Sequence, residues 1–240
     1  MAATAFFTRL PVEPHAAGAW RLADSVWAFP LVGAGIGAVA ALTFFLAQLI
    51  ALGTWLAAAL SITASLVLTG ALHEDGLADT ADGFFGGRDR DEKLAILRDS
   101  RHGTYGVLAI LLSVLLRAAA LAGIGDPIHA GLALIAAHAA SRAALPAVMS
   151  GLRPARPDGL GATAGTPRLS AAITAALIGS AIVLAALGPG RGLIALCLAG
   201  LFVLAMALVA RRQIGGYTGD VLGSLQQLGE IAILLAAAAR

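Results

Sequence analysis

Long apolar runs broken by short polar stretches set the first expectation for this chain. Seven apolar segments can be drawn, at about 29–52, 55–72, 105–124, 128–149, 169–187, 193–210 and 221–239. Each reaches or approaches the roughly 20 residues that cross a bilayer as a helix. Inside lipid no water satisfies backbone N–H and C=O groups, so runs of this kind are expected as helices. The pattern predicts an all-α fold, a polytopic membrane bundle of about seven transmembrane helices, with residues 1–240 forming a single membrane-embedded domain. The last run is the weakest, because Gln226, Gln227 and Glu230 interrupt it.

Composition agrees with the pattern. The chain is 59% hydrophobic and only 12% charged, against about a quarter charged in an ordinary soluble domain. Its mean hydropathy is +0.86. The net charge of +2 gives no basis for a nucleic-acid partner, since the basic residues sit between apolar runs. Cys197 is alone, so no disulfide, zinc or iron–sulfur site can be built from cysteine. "MAATAFFTRLPVEP" lacks a basic leader and is interrupted by Arg9 and Pro11, so it reads as an interfacial segment rather than a signal peptide. "GAGIGAVA" at 33–40 lies inside an apolar span, not after a strand. Gly33 and Gly37 therefore predict close helix–helix packing rather than a dinucleotide loop.

Positive charge sets the orientation. With a cytoplasmic N-terminus, the inner segments hold Arg9, Arg21, Arg88, Arg90, Lys93, Arg98, Arg101, Arg153, Arg156, Arg168, Arg211 and Arg212, and the outer side keeps Arg191 and Arg240. Twelve against two is a strong positive-inside bias. Loops 73–104, 150–168 and 211–220 would then share the cytoplasmic face of a bacterial inner membrane and form the active-site face. The outer connections are too short to hold a site.

The first of those loops carries the chemistry. Glu74, Asp75, Asp79 and Asp82 place four carboxylates inside nine residues. On a helix Asp75, Asp79 and Asp82 fall within about 60° of one another. Such a stripe is costly at a membrane surface unless a cation neutralises it. Hard oxygen ligands favour Mg²⁺, which keeps waters and binds substrate phosphates. The bland alternative, a solvated acidic face with helix caps, accounts for one or two aspartates but hardly three in register. Gly76 and Gly83 leave room for another backbone or a bulky ligand.

Downstream, Arg98 and Arg101 bracket Asp99 and Ser100, and Gly103 and Gly106 bracket Thr104 and Tyr105. Arginine, hydroxyls and flexible backbone make a phosphate cradle, although arginines at a membrane surface often only anchor topology. His138 and Arg142 are one turn apart within an apolar span, where ionisable residues usually face a cavity or a partner. Arg117 reads equally as snorkelling or as internally paired. Asp220 opens the last segment, either as a cap with Thr218 or as the head of a polar stripe with Ser224, Gln227 and Glu230 that should face the bundle.

"FFTRLPV", "FPLVG", "ALHEDGLADTADGFFGG", "RDSRHGTYG", "SR" at 141–142, "GLG" at 159–161 and "GGYTGD…LGE" resemble, in that order, the landmarks of cobalamin synthase, the adenosylcobinamide-GDP ribazoletransferase family. The resemblance runs from about residue 6 to 235. It implies an Mg²⁺-dependent membrane transferase of late vitamin B12 biosynthesis, with Mn²⁺ able to substitute. That enzyme joins the corrinoid nucleotide adenosylcobinamide-GDP to α-ribazole, or its 5′-phosphate, and releases GMP. Membrane lipid is then its surroundings, and homo-oligomerisation is compatible with the sequence. On this reading Glu74, Asp75, Asp79 and Asp82 hold metal. Asp79, Asp82 and Asp220 are the catalytic carboxylates, one of them a general base. Arg98, Asp99, Ser100, Arg101, Thr104 and Arg142 bind substrate.

Two rivals belong beside it. A CDP-alcohol phosphotransferase would use a similar aspartate cluster but expects Asp-Gly-x-x-Ala-Arg, and "DGLADTADG" has Asp79 where the Arg would stand. A secondary transporter would spread an Asp/Arg/His relay near the bilayer midplane, whereas here the acids gather at one surface.

Overall fold

The computed structural model describes residues 1–12, 21–99 and 101–239. Among them there is no strand beyond one bridge between Pro154 and Tyr217, and helices dominate. In chain order these are α1 (Ala2–Phe7), α2 (Phe29–Leu49, entered through a 3₁₀ turn at Leu22–Ala28), α3 (Thr54–Thr69), α4 (Leu72–Gly86), α5 (Arg90–Ile96) and α6 (Thr104–Ile124). Then follow α7 (Pro127–Ala143), α8 (Leu145–Gly151), α9 (Leu160–Thr163), α10 (Leu169–Leu187), α11 (Pro189–Ile214) and α12 (Gly219–Ala238). Six stretches are long and apolar enough to cross a membrane, and α3 with α4 makes a seventh if counted as one broken span. The protein is an all-α polytopic membrane bundle.

Its layers follow from side-chain size. Of the spanning windows, 78% of α7–α8 and 67% of α12 is buried, against 22–39% of the others. The interior helices are rich in alanine (Ala130, Ala133, Ala136, Ala137, Ala232 and Ala236 are all buried), whereas Leu108, Leu111, Leu115, Leu177 and Leu204 point outward. Lipid is as apolar as leucine, so helices associate where small residues let backbones approach. Gly33 and Gly37 do this as expected: a Cβ on Gly37 would lie 2.7 Å from the Leu134 carbonyl oxygen, and Gly33 abuts the His138 carbonyl. The α2–α7 pairing is the most extensive in the bundle.

Three boundaries differ from the sequence pattern. The run at 55–72 is not one straight helix. Gly70 (φ 64°) and Ala71 (φ 55°) take left-handed conformations, and α4 leaves α3 at 90°. Gly70 adopts that region freely, while Ala71 is strained there. The run at 128–149 breaks between α7 and α8, where Pro146 cannot donate to the preceding turn. The run at 193–210 extends from Pro189 to Ile214. Arg211 and Arg212 therefore belong to the last turn of α11, where cations complement the helix dipole.

One end of the bundle gathers the polar segments. Arg90 donates to the Ile214 carbonyl at 3.1 Å and the Ala155 carbonyl at 2.6 Å. Lys93 meets Gln213, and Arg98 pairs with Asp158 at 2.6 Å. Tyr217 exchanges backbone hydrogen bonds with Arg153 and Ala155, and its hydroxyl donates to the Gly161 carbonyl. Segments around 73–104, 150–168 and 211–220 thus meet at a single end.

Candidate active site

The crossing of α4 over the start of α12 builds the site. A Cβ on Gly76 would lie 2.8 Å from the Asp220 carbonyl oxygen, and one on Gly223 would lie 3.1 Å from the His73 carbonyl oxygen. Ser224 Oγ donates to the Gly76 carbonyl at 3.2 Å. The two backbones are nearly in contact, which only glycine permits, and the contact carries Asp220 to the acidic helix. Thr218 caps α12, with its Oγ1 accepting from the Val221 N–H and lying 3.0 Å from Asp220 Oδ2.

Asp75, Asp79 and Asp82 all turn toward the segment that leads into α6, with different partners. Asp75 and Asp79 face His102: His102 Nε2 is 3.8 Å from Asp75 Oδ1, and Nδ1 is 3.6 Å from Asp79 Oδ1. One ligand atom from each lies within 4.8 Å of the others. Donors around a single Mg²⁺ at ~2.1 Å sit roughly 3–4 Å apart, so small side-chain adjustments would suffice. Two carboxylates and an imidazole fit a hard divalent cation, and the imidazole suits Mn²⁺ better than Mg²⁺. Asp82 is placed differently. Its carboxylate is buried and accepts from the Gly103 N–H at 2.6 Å and the Gly106 N–H at 2.9 Å, which ties the entry of α6 to α4.

Glu74 lies apart from that group, on the inner side of α4. Its Oε1 is 3.0 Å from Arg117 Nη2 and accepts from Gln227 Nε2 at 3.0 Å. Arg117 also pairs with Glu230 at 3.0 Å, and Glu230 accepts from Gln226 at 2.6 Å and lies 3.2 Å from His138 Nδ1. Arg142 closes this network. It is 1% exposed, donates to the His138 carbonyl at 3.1 Å, and its guanidinium lies 5.4 Å from the Phe7 ring centroid. The structure thus puts Glu74 and Arg142 in a buried polar network between α4, α6, α7 and α12, not on the accessible acidic face. The polar stripe of the last segment does face the bundle, with Ser224, Gln226, Gln227 and Glu230 buried.

Arg98 and Arg101 are exposed and held by neighbouring acids, Asp158 and Asp99 respectively, each at 2.6 Å. The Arg101 hydrogen bonds pull the Asp99 carboxyl down to about 2, and Arg98 likewise lowers Asp158. Thr104 is exposed at the first turn of α6. Ser100 lies outside the described residues.

A family model for cobalamin-5-phosphate synthase matches residues 1–238. The chain belongs to that family. Among the relatives of this cobalamin-5-phosphate synthase family member, the adenosylcobinamide-GDP ribazoletransferase of Bradyrhizobium diazoefficiens is 51% identical over 240 residues, covering 99% of this chain and 92% of that protein. The enzyme of the same name from Mesorhizobium japonicum is 49% identical, covering 97% and 89%. That of Azorhizobium caulinodans is 46% identical, covering 98% and 92%. No solved structure gives a significant match. Membership of this family removes the CDP-alcohol phosphotransferase and transporter readings.

Two residues of this cobalamin-5-phosphate synthase family member escaped the sequence reading. His102 stands within the "RDSRHGTYG" stretch, but spacing along the chain gives no sign that it meets Asp75 and Asp79. From the sequence, Arg156 bears only on topology. Its Nη2 is 3.8 Å from Asp220 Oδ2, and its Nη1 is buried without a hydrogen-bond partner among the described residues. The signal available was "RPARPDGLG", a second arginine cluster beside glycine, at the same predicted face as the acids.

Proposed function

We propose that this chain joins adenosylcobinamide-GDP to α-ribazole, or to its 5′-phosphate, with release of GMP, on the face where α4 crosses α12. The observation that carries the reading is the meeting of Asp220 with the acidic helix, fixed by the Gly76 backbone contact, which leaves Asp75 and Asp220 lining one cavity. The acceptor offers a ribose hydroxyl and the donor a pyrophosphate. Asp220, beside Thr218 and Arg156, takes the hydroxyl proton as general base. The freed oxygen attacks the cobinamide-side phosphorus, the bond to the bridging oxygen breaks, and GMP departs with that oxygen. Arg156 stands nearest to neutralise phosphate charge. Arg98 and Arg101 reach the donor by exchanging their carboxylate partners for phosphate, the bidentate geometry that guanidinium favours.

Asp75, Asp79 and His102 are the residues that would hold Mg²⁺ or Mn²⁺, and such a cation supplies charge neutralisation and alignment to phosphoryl transfer. Asp82 keeps the turn that presents His102. Glu74 and Arg142 hold α4 from behind. The polar end lies toward the cytoplasm of a bacterial inner membrane, a placement supported by the twelve-to-two distribution of basic residues.

The test is direct. Purified protein in nanodiscs receives adenosylcobinamide-GDP, α-ribazole and Mg²⁺, and GMP and the cobalamin product are followed together. Stoichiometric formation of both is expected, and loss of both in excess EDTA. Absence of GMP release by well-folded protein would sink the transfer reading, and full turnover in EDTA would sink the metal site.

A further inference from the structure

Asp75 and Asp220 line one side of a cavity of about 130 Å³ whose other walls the transfer chemistry does not use. Its walls include the rings of Phe6, Phe7 and Phe29 and the side chains of Leu145 and Met149. The rings are ordered among themselves. Phe7 meets Phe6 and Phe29 edge-to-face at 4.9 and 4.7 Å, and the His73 ring lies nearly parallel to Phe7, 5.6 Å between centroids. His73 also lines the cavity, and its Nε2 is buried with no hydrogen-bond partner among the described residues. A buried nitrogen left unpaired is costly, and a ligand atom in the cavity that His73 lines would relieve that cost. An apolar cavity of ~150 Å³ takes a benzene-sized ring, so this one admits one six-membered ring and leaves the rest of a larger ligand at its mouth.

We infer that this cavity seats the dimethylated ring of the acceptor's planar base, with the nitrogen-bearing ring at its mouth. The acceptor's identity rests on the transfer proposed above; the cavity says how it is recognised. The base of α-ribazole is a neutral dimethylated bicycle. One ring nitrogen is bonded to the sugar and the other keeps a lone pair, with no exocyclic polar group. Its demands are therefore apolar walls and one hydrogen-bond donor. The phenylalanines, Leu145 and Met149 supply the walls, and His73 Nε2–H supplies the donor. With the base seated there, the sugar extends past Asp75 and Asp220, which places a ribose hydroxyl at the carboxylate assigned as general base.

The experiment uses the full chain in nanodiscs, in EDTA and without donor, so that binding is read apart from turnover. Calorimetry follows free 5,6-dimethylbenzimidazole and α-ribazole on wild type, on Ala164→Phe, which fills the cavity, and on His73→Phe, which keeps a ring against Phe7 but removes the nitrogen. Thermal unfolding confirms that each variant is folded. Both ligands should bind wild type. Affinity should fall more than tenfold in Ala164→Phe, and about tenfold in His73→Phe, the worth of one buried hydrogen bond. No binding of the free base to wild type would overturn the inference, and so would unchanged affinity in a folded Ala164→Phe protein. If the base binds as described but no GMP forms on adding donor and Mg²⁺, the transfer reading fails and the cavity assignment stands. If GMP forms while Ala164→Phe keeps the wild-type KM for α-ribazole, the transfer stands and the cavity assignment fails.

Discussion

Asp75 and Asp82 sit two turns apart on one helix face, yet their surroundings give them opposite tasks. Asp75 is 62% exposed and looks at His102, while Asp82 is buried with both oxygens taken by backbone N–H groups. Asp75→Asn should therefore cut turnover on the order of a hundredfold, as loss of a charge-stabilising group typically does, with little change in unfolding temperature. Asp82→Asn should lower that temperature by several degrees, since a charge-assisted hydrogen bond contributes about 1.5–3 kcal/mol. Equal unfolding temperatures for the two variants would contradict this division. His102→Ala should weaken Mn²⁺ binding more than Mg²⁺ binding, because imidazole suits the softer ion; Mn²⁺ spectroscopy with Mg²⁺ competition reads both. The aspartate stripe was legible because helical periodicity alone puts those side chains on one face. The identity of each partner was not, because it depends on which distant segment folds against that face.

At the level of elements, α12 was the faintest span in the sequence and is among the most buried helices in the molecule. Its polar residues weaken the hydropathy signal for the same reason that they matter: they pair inside the bundle. Arg117 lies between Glu74 and Glu230, at 3.0 Å from each, and α4 is thereby fastened to α6 and α12. Arg117→Met would leave two buried carboxylates short of a partner and should destabilise the protein by about 3–5 kcal/mol. Adding Glu74→Gln should recover part of the loss, and a double-mutant cycle of unfolding measurements gives the coupling. Additive effects would show that the network is not one unit. Gly76→Val tests the crossing itself. Its side chain has no space against the Asp220 backbone, so activity should collapse even where the protein still inserts and folds. The spacing of Gly33 and Gly37 revealed their packing in advance, whereas the 90° bend did not show, because Ala71 is an ordinary helix former held in a left-handed conformation.

For the molecule as a whole, a chain of apolar runs announced a membrane bundle, and the clustering of charge announced one polar end. The distribution of the arginines predicts which side that end faces. In a Cys197→Ala background, a cysteine at position 92 should resist an impermeant thiol reagent in intact cells and react once the membrane is opened; labelling from outside would invert the topology. The fold also makes a demand on its surroundings. Helix α3 has 16 residues, which rise roughly 24 Å at ~1.5 Å each, while hydrocarbon is about 30 Å thick. Beyond Thr69 the chain turns aside into the acidic helix and offers lipid no further apolar length. The bilayer must dip beside α3 to meet it, and that hydrophobic mismatch is relieved in a thinner membrane. Where α3 meets lipid, the thickness of the bilayer is part of what holds the acidic helix at the surface.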